Sequence, residues 1–316
     1  MLRILGLLLL LPLGALAQSV ETATTIEVQP DSGSQTGTET PPAESLVIER
    51  IARERGLDHN RSVLIAHRRN YFLPLTWASN PNDTPYEIEG GDPNELLDNF
   101  EAQFQISLKL PIAEGVFTDN DAIFGGFTLR AFWQVYNTGI SAPFRETNYE
   151  PEIFWVAPLS WNPFGGDATL MSLGLSHESN GRSQPTSRSW NRIYAGLVWE
   201  RSRYVYYLKA WWRVPESEKD DPLDPHGDDN PDIEDYMGNF EFTVAYRKFD
   251  HEVSAMLRNN LDTDENRGAL QLDWTFPLEG RYRGYLQYFN GYGESLIDYN
   301  AHINRIGIGI LLTDLL

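Results

Sequence analysis

Glu101-Ala102-Gln103-Phe104-Gln105-Ile106-Ser107-Leu108-Lys109-Leu110 decides the fold. Its apolar residues fall at every second position, and Glu, Gln, Ser and Lys fill the positions between. Successive side chains of an extended strand point to opposite faces, so this period of two makes one face apolar and the other polar. The pattern returns downstream: Phe240, Phe242, Val244 and Tyr246 alternate with Glu241, Thr243, Ala245 and Arg247. Leu270, Leu272, Trp274 and Phe276 alternate with Gln271, Asp273 and Thr275, and Ile306, Ile308, Ile310 and Leu312 stand opposite Gly307 and Gly309.

About twelve such segments follow one another, near 71–79, 101–112, 122–137, 147–158, 167–179, 190–202, 203–215, 238–249, 250–261, 266–276, 281–291 and 303–314. Turn formers separate them, for example Asn80-Pro81-Asn82-Asp83 and Gly90-Gly91-Asp92-Pro93. Alternation by itself admits two architectures. A soluble sandwich turns its apolar faces inward, whereas a membrane barrel turns them out to lipid and keeps a polar lumen.

The N-terminus favours the barrel. Met1-Leu2-Arg3 is a short positive start, Ile4 to Leu16 is an apolar run, and Ala15-Leu16-Ala17 offers small residues before Gln18. This three-part pattern predicts a secretory signal peptide over 1–17, since the run is shorter than the ~20 residues that span a bilayer. Beyond Gln18 no window approaches ~20 apolar residues, so entry into a membrane requires a closed barrel, in which every backbone group has a partner. The expected fold is therefore all-β, a twelve-stranded antiparallel transmembrane β-barrel over 71–316. Ahead of it, residues 18–45 carry Glu21, Glu27, Asp31, Glu39 and Glu44 without Lys or Arg, and predict a disordered acidic segment. Residues 46–70 predict a short helix leading into the first strand.

The 316 residues carry a net charge of −20, which argues against a nucleic-acid partner because phosphate binding needs a basic face. The absence of cysteine excludes thiol catalysis and Cys-ligated metals. The 9 Trp, 15 Tyr and 15 Phe suit the interfacial girdles of a membrane barrel.

One segment stands apart. Ser176 to Asn191 is dense in polar side chains yet lies between two good strands. Alternation places His177 and Ser179 on the face of Met171, Leu173 and Leu175, and Asn191 on the face of Ile193, Ala195 and Leu197. In a barrel that face meets lipid, where polar groups are costly unless paired. Pairing Ser with His and His with Asn makes a nucleophile, a base and an orienting group. The bland alternative is a solvated His in an outer loop. Other polar or aromatic blocks have bland readings too. Gly291-Tyr292-Gly293 reads as turn chemistry, Arg145 with Glu146 as a lumenal pair, and Trp211-Trp212 as part of a girdle. The acidic run Glu216 to Asp229 reads as a solvated outer loop that could attract divalent cations.

His177-Glu178-Ser179-Asn180-Gly181-Arg182-Ser183 through Asn191-Arg192-Ile193-Tyr194 resembles the outer-membrane phospholipase A family. So do Ser141 to Pro151, Asp229-Asn230-Pro231-Asp232 and Gly291 to Asn300, and the likeness runs from about residue 95 to the C-terminus. It implies a calcium-dependent outer-membrane enzyme that cleaves phospholipid acyl esters at sn-1 and sn-2 and is active as a homodimer. By matching position, Ser179 would be the nucleophile, His177 the proton acceptor and Asn191 its orienter. The Gly181 N–H would hold the oxyanion. Calcium would take the Arg182 carbonyl, the Ser187 hydroxyl and the carbonyl of the partner subunit's Ser141, and Asp229 matches an acid linked to calcium outside the dimer. Gln184 and Leu129 depart from the Asp and Gln of the family pattern. Two other classes stay open on the residues themselves: a channel built on lumenal Gln103, Arg247 and Asp273, and an adhesive barrel using the 18–45 tail.

Overall fold

The computed structural model describes residues 45–47, 50, 64–88, 97–161, 165–221, 223–280 and 282–313. The expected signal peptide, and all of the acidic segment but Ser45, lie outside them. A two-residue strand β1 (Ile65–Ala66) precedes twelve longer ones. These are β2 (Asn70–Ala78), β3 (Phe100–Glu114), β4 (Ala122–Trp133), β5 (Phe144–Trp161), β6 (Asp167–Ser179), β7 (Ser189–Arg201), β8 (Tyr204–Arg213), β9 (Phe240–Lys248), β10 (His251–Asn259), β11 (Gly268–Pro277), β12 (Arg283–Gly291) and β13 (Ile303–Thr313). Two five-residue helices, α1 (Thr84–Ile88) and α2 (Ile233–Met237), lie in the β2–β3 and β8–β9 connections. Leu46, Val47 and Arg50 carry helical backbone, most of 48–63 lies outside the described residues, and Ile65–Ala66 is extended rather than helical.

Each of the twelve long strands pairs antiparallel with the next, and β13 pairs with β2, so the sheet closes on itself as a barrel. Closure removes every sheet edge, which is what a strand protein in hydrocarbon requires. β1 pairs with β3 at Ala66↔Leu108, continuing the ladder that β2 begins at Tyr71↔Gln105. Irregularities in the ladder flank Pro74, Pro111 and Pro158. Proline cannot donate to a ladder, and bulges are where strands accept it.

The alternation that opened the sequence reading is inverted relative to a soluble protein. In β3 the polar residues Glu101, Gln103, Gln105 and Ser107 are buried, as is the small Ala102, while Ile106 and Leu110 are exposed. In β13 Ile306, Ile308 and Leu312 are exposed and Arg305 is buried. The outward surface is apolar over many strands, including Leu75, Ile153, Leu173, Ile193, Leu257 and Leu272. Outward aromatics cluster towards both ends. Trp199, Tyr206 and Phe242 lie together at one, and Trp133 stacks on Phe144 at the other with ring centroids 5.1 Å apart. Such girdles mark the two membrane interfaces. The Trp211-Trp212 pair is split between the faces: Trp212 is 56% exposed and points out, while Trp211, 7% exposed, packs edge-on against Trp190 in the lumen.

Inside, charge is neutralised by charge. Arg68 donates to Glu150 and Glu152 at 2.5 and 2.8 Å, and Arg69 donates to Asp273 and Glu252, both at 2.7 Å. Arg305 pairs with Glu101 and Glu294. Arg145 does not pair with Glu146 as the sequence suggested: it joins Glu101 and Asp298, while Glu146 accepts from Asn148 and Arg182. The β4–β5 ladder skips Arg145 at an irregularity, so both side chains are buried on the lumen side and each finds partners of its own across it. Of the polar residues on which a channel would rest, Gln103 and Asp273 are 2% and 3% exposed and Arg247 is half-buried. What remains inside is a cavity of about 420 Å³.

Turn lengths give the barrel two unlike ends. The β7–β8 and β9–β10 hairpins close with Arg201↔Tyr204 and Lys248↔His251 in register. The opposite end carries the connections 79–99, 180–188, 214–239 and 292–302. At the short-turn end Glu200 reaches the chain ahead of the barrel. Its carboxylate accepts from the Ser45 hydroxyl at 2.6 Å and the Leu46 N–H at 2.9 Å, and Val47 packs on Val205 and Ala245.

Candidate active site

Adjacent strands β6 and β7 bring His177 and Asn191 directly opposite each other in register. Both point outward, and the His177 Nδ1–H donates to Asn191 Oδ1 at 2.9 Å. Ser179 lies two residues further along the same face, at the end of β6 nearest the long loops, paired with Ser189 and Tyr149. Its hydroxyl makes no hydrogen bond to His177 among the described residues. Catalytic hydrogen bonds often tighten only with substrate.

The lumen-facing neighbours hold these strands still. Glu178, between the two candidates, accepts from Trp190 Nε1 at 3.0 Å and from Arg192 at 2.9 Å. Arg192 also donates to Glu150 at 2.9 Å and lies over the Trp190 ring at 4.0 Å. Trp190 and Arg192, which flank Asn191, are thus both held from the lumen side. Gly174, on the lumen side of β6, makes room for Tyr194, since a Cβ there would fall 2.5 Å from the ring.

The loop from 180 to 188 is organised by Asn180. Its side chain donates to the Thr186 carbonyl at 2.9 Å and accepts from the Arg188 N–H, also at 2.9 Å. Gly181 adopts φ +66°, a left-handed conformation that costs glycine little. Its N–H makes no hydrogen bond among the described residues, so it is free to donate to a ligand. The Arg182 guanidinium turns inward to Glu146 and the Arg145 carbonyl, at 3.1 and 2.5 Å.

The expected calcium residues are brought together in part. Ser187 Oγ donates to Asp229 at 2.7 Å, and Gln184 Nε2 donates to its other oxygen at 2.6 Å. Lys219 forms an ion pair with the same carboxylate. Burial would raise the Asp229 carboxyl, but hydrogen bonds from Lys219, Ser187 and Gln184 together with the Lys219 charge outweigh it and hold the group below its usual range. Ser141 stands exposed in the β4–β5 connection with φ +66°, joined to none of Arg182, Ser187 or Asp229 among the described residues. No cluster of three or more His, Asp or Glu placed to hold a metal occurs among the described residues. The hydroxyl and carbonyl oxygens suit calcium, a hard cation. The Asp229 carboxylate suits it by charge but is already engaged by an ammonium.

Sequence reading missed two residues, Glu216 and Lys219. Both belong to the acidic run expected to be a solvated loop, yet that loop folds against the site. Val214 donates its N–H to the Asn191 carbonyl at 2.8 Å, and Glu216 Oε1 accepts from Asn191 Nδ2 at 3.1 Å. The available signal was position: Arg213 stands opposite Arg192, so the chain leaves β8 beside Asn191.

A closed twelve-stranded barrel with an apolar exterior and a Ser, His and Asn grouping on its wall defines a membrane β-barrel with a candidate hydrolytic site. A model of the phospholipase A1 family matches residues 47–312, and the chain belongs to that family. A Klebsiella pneumoniae phospholipase A1 is 37% identical over 258 residues, 82% of this chain and 85% of that protein. A relative from Neisseria meningitidis is 40% identical over 79% of this chain, which spans 65% of that protein's length. Among solved structures, outer membrane phospholipase A from Escherichia coli superposes with TM-score 0.72 at 35% identity, covering 80% of this chain and 100% of that one. A Salmonella typhi outer membrane phospholipase dimer with bound calcium gives 0.74 at 33% identity, covering 83% and 97%.

Proposed function

We propose that this chain is an outer-membrane phospholipase that hydrolyses phospholipid acyl esters, at sn-1 and sn-2 and in lysophospholipids, from the lipid-facing wall of the barrel. The observation that carries the proposal is the His177–Asn191 hydrogen bond on an otherwise apolar face, with Ser179 in the same row. A polar pair in that position serves no packing purpose and meets acyl chains directly.

In this reading an acyl chain lies along the exterior and presents its ester to Ser179. With Nδ1–H held by Asn191, the His177 Nε2 lone pair takes the Ser179 proton as the hydroxyl oxygen attacks the carbonyl carbon. The Gly181 N–H donates to the oxyanion, an interaction that strengthens as charge develops. His177 then protonates the departing lysophospholipid oxygen, and water clears the acyl-enzyme by the same route. Calcium would be held by the Arg182 carbonyl, Ser187 Oγ and the carbonyl of the partner subunit's Ser141, with Asp229 as an acidic site outside the dimer. Bound there it would add positive charge beside the oxyanion. A second copy of the barrel would convert a flat wall into a cleft and complete that ligand set. Mature protein would reach the outer membrane after removal of residues 1–17.

Fatty-acid release from phospholipid in detergent, measured with calcium and with chelator, tests the reading. Ser179→Ala is expected to lower release by roughly 10⁴-fold or more. Undiminished release by that variant, or release indifferent to calcium, would overturn it.

A further inference from the structure

An asparagine amide has two orientations that differ by exchange of oxygen and nitrogen, and only one of them serves a base. If Asn191 Oδ1 faces His177, the imidazole must carry its proton on Nδ1, which leaves Nε2 as the acceptor. If Nδ2 faced His177, the tautomer would reverse and the base would be lost. The neighbouring strand cannot decide between them, because its backbone is already used in the β6–β7 ladder.

Glu216 decides. An ionised carboxylate accepts hydrogen bonds and cannot donate them. With Glu216 Oε1 at 3.1 Å from Asn191 Nδ2, the reversed amide would set oxygen against oxygen. The loop that delivers Glu216 is itself fastened. Val214 donates to the Asn191 carbonyl at 2.8 Å, Asp228 donates its N–H to the Ser217 carbonyl at 2.8 Å, and Arg213 pairs with Asp228 at 2.5 Å. Asp228, Asp229 and Arg213 are the other charges acting on Glu216. Burial and the Asp228 charge push its carboxyl up, while the Asn191 hydrogen bond and Arg213 oppose them.

We propose that Glu216 is a positioning residue of the active site: it fixes the Asn191 amide, and through it the His177 tautomer, and supplies the negative charge that an asparagine lacks. The inference rests on the reading of Ser179, His177 and Asn191 as the catalytic group. Side chain by side chain the relay runs Glu216–Asn191–His177, one member longer than a Ser-His-Asp triad, with the carboxylate displaced by one amide.

The sharpest test exchanges the pair. Asn191→Asp sets two carboxylates at the 3.1 Å now spanned by amide and Glu216, where like charges cannot both ionise. Adding Glu216→Gln restores one carboxylate, one amide and the net charge. Calcium-dependent phospholipid hydrolysis in detergent is measured for Glu216→Ala, Asn191→Asp and Asn191→Asp/Glu216→Gln, with Ser179→Ala and Glu218→Gln as controls. Heat-modifiable gel mobility confirms that each barrel is folded. Glu216→Ala is expected to lower kcat roughly 10- to 100-fold, the range for lost supporting partners, with KM within about twofold. The double variant is expected to exceed Asn191→Asp by about tenfold or more, as coupled neighbours do. Glu218→Gln, which removes an equal charge from the same loop, is expected to leave kcat within about twofold of the parent. A Glu216→Ala enzyme with parental kcat beside an inactive Ser179→Ala would overturn the role of Glu216 while leaving the catalytic reading intact. So would a double variant no more active than Asn191→Asp, or a Glu218→Gln loss as large as that of Glu216→Ala. Parental activity in Ser179→Ala would remove the catalytic reading itself. If Glu216→Ala does not fold, the exchange pair carries the test.

Discussion

Gly181 and Lys219 show how much of the site is set by single residues. Gly181→Ala forces a Cβ into φ +66° and places it 3.4 Å from Tyr149. Left-handed backbone costs a non-glycine residue about 1–2 kcal/mol, so a modest loss of stability is expected. Alanine keeps the N–H, but relief of the strained φ turns that donor aside; if it holds the oxyanion, kcat should fall by about 10²-fold, the scale of an oxyanion donor put out of place. Kinetics beside thermal unfolding separate the two. Lys219 occupies the carboxylate that calcium would use. Lys219→Met should lower the calcium concentration for half-maximal activity by roughly fivefold, equivalent to the ~1 kcal/mol of a partly exposed ion pair. An activation curve unmoved by the substitution would separate Asp229 from calcium. His177, Ser179 and Asn191 were legible in the sequence because alternation fixes which face a strand residue takes. Glu216 was not, because no periodicity reaches across the 26 residues between β8 and β9 to say which of the acids there turns back.

At the scale of the element, the β6–β7 hairpin joins two environments through one backbone. Arg192 touches Glu150, Glu178 and the Trp190 ring, while its neighbour Asn191 touches His177 on the far side. Arg192→Met should destabilise the barrel by about 3–5 kcal/mol, because it leaves buried carboxylates short of a partner. Urea unfolding in lipid measures this. The lipid side has its own sensitivity: Leu173, midway along β6 and 50% exposed, faces outward. Leu173→Arg should cost about 2–4 kcal/mol at the bilayer midplane. The same substitution in a soluble sandwich would instead strike a core, so refolding in detergent compared with thick bilayers distinguishes the two architectures. The strand order and the faces were readable in advance, whereas the partners of Arg145 and Glu146 were not. Partnership across a lumen depends on closure, which links residues 101, 145 and 298 that no local pattern relates.

For the molecule as a whole, alternation and turn spacing foretold about twelve strands, and the signal-peptide pattern foretold their closure into a ring, since a strand protein in a membrane leaves no edge unpaired. The contents of the ring were less legible, because a polar lumen is compatible with an open pore as well as a packed one. Here Gln103, Asp273 and Glu252 sit deep among paired charges, and Glu200 clasps residues 45–47 at the short-turn mouth. An osmotic consequence follows. A cell envelope is a permeability barrier, and each water-filled barrel added to it is a leak that grows with copy number. A bore narrowed by its own paired charges, with residues 45–47 held at one mouth, leaks less than an open pore of the same strand number, so each added copy burdens the barrier less.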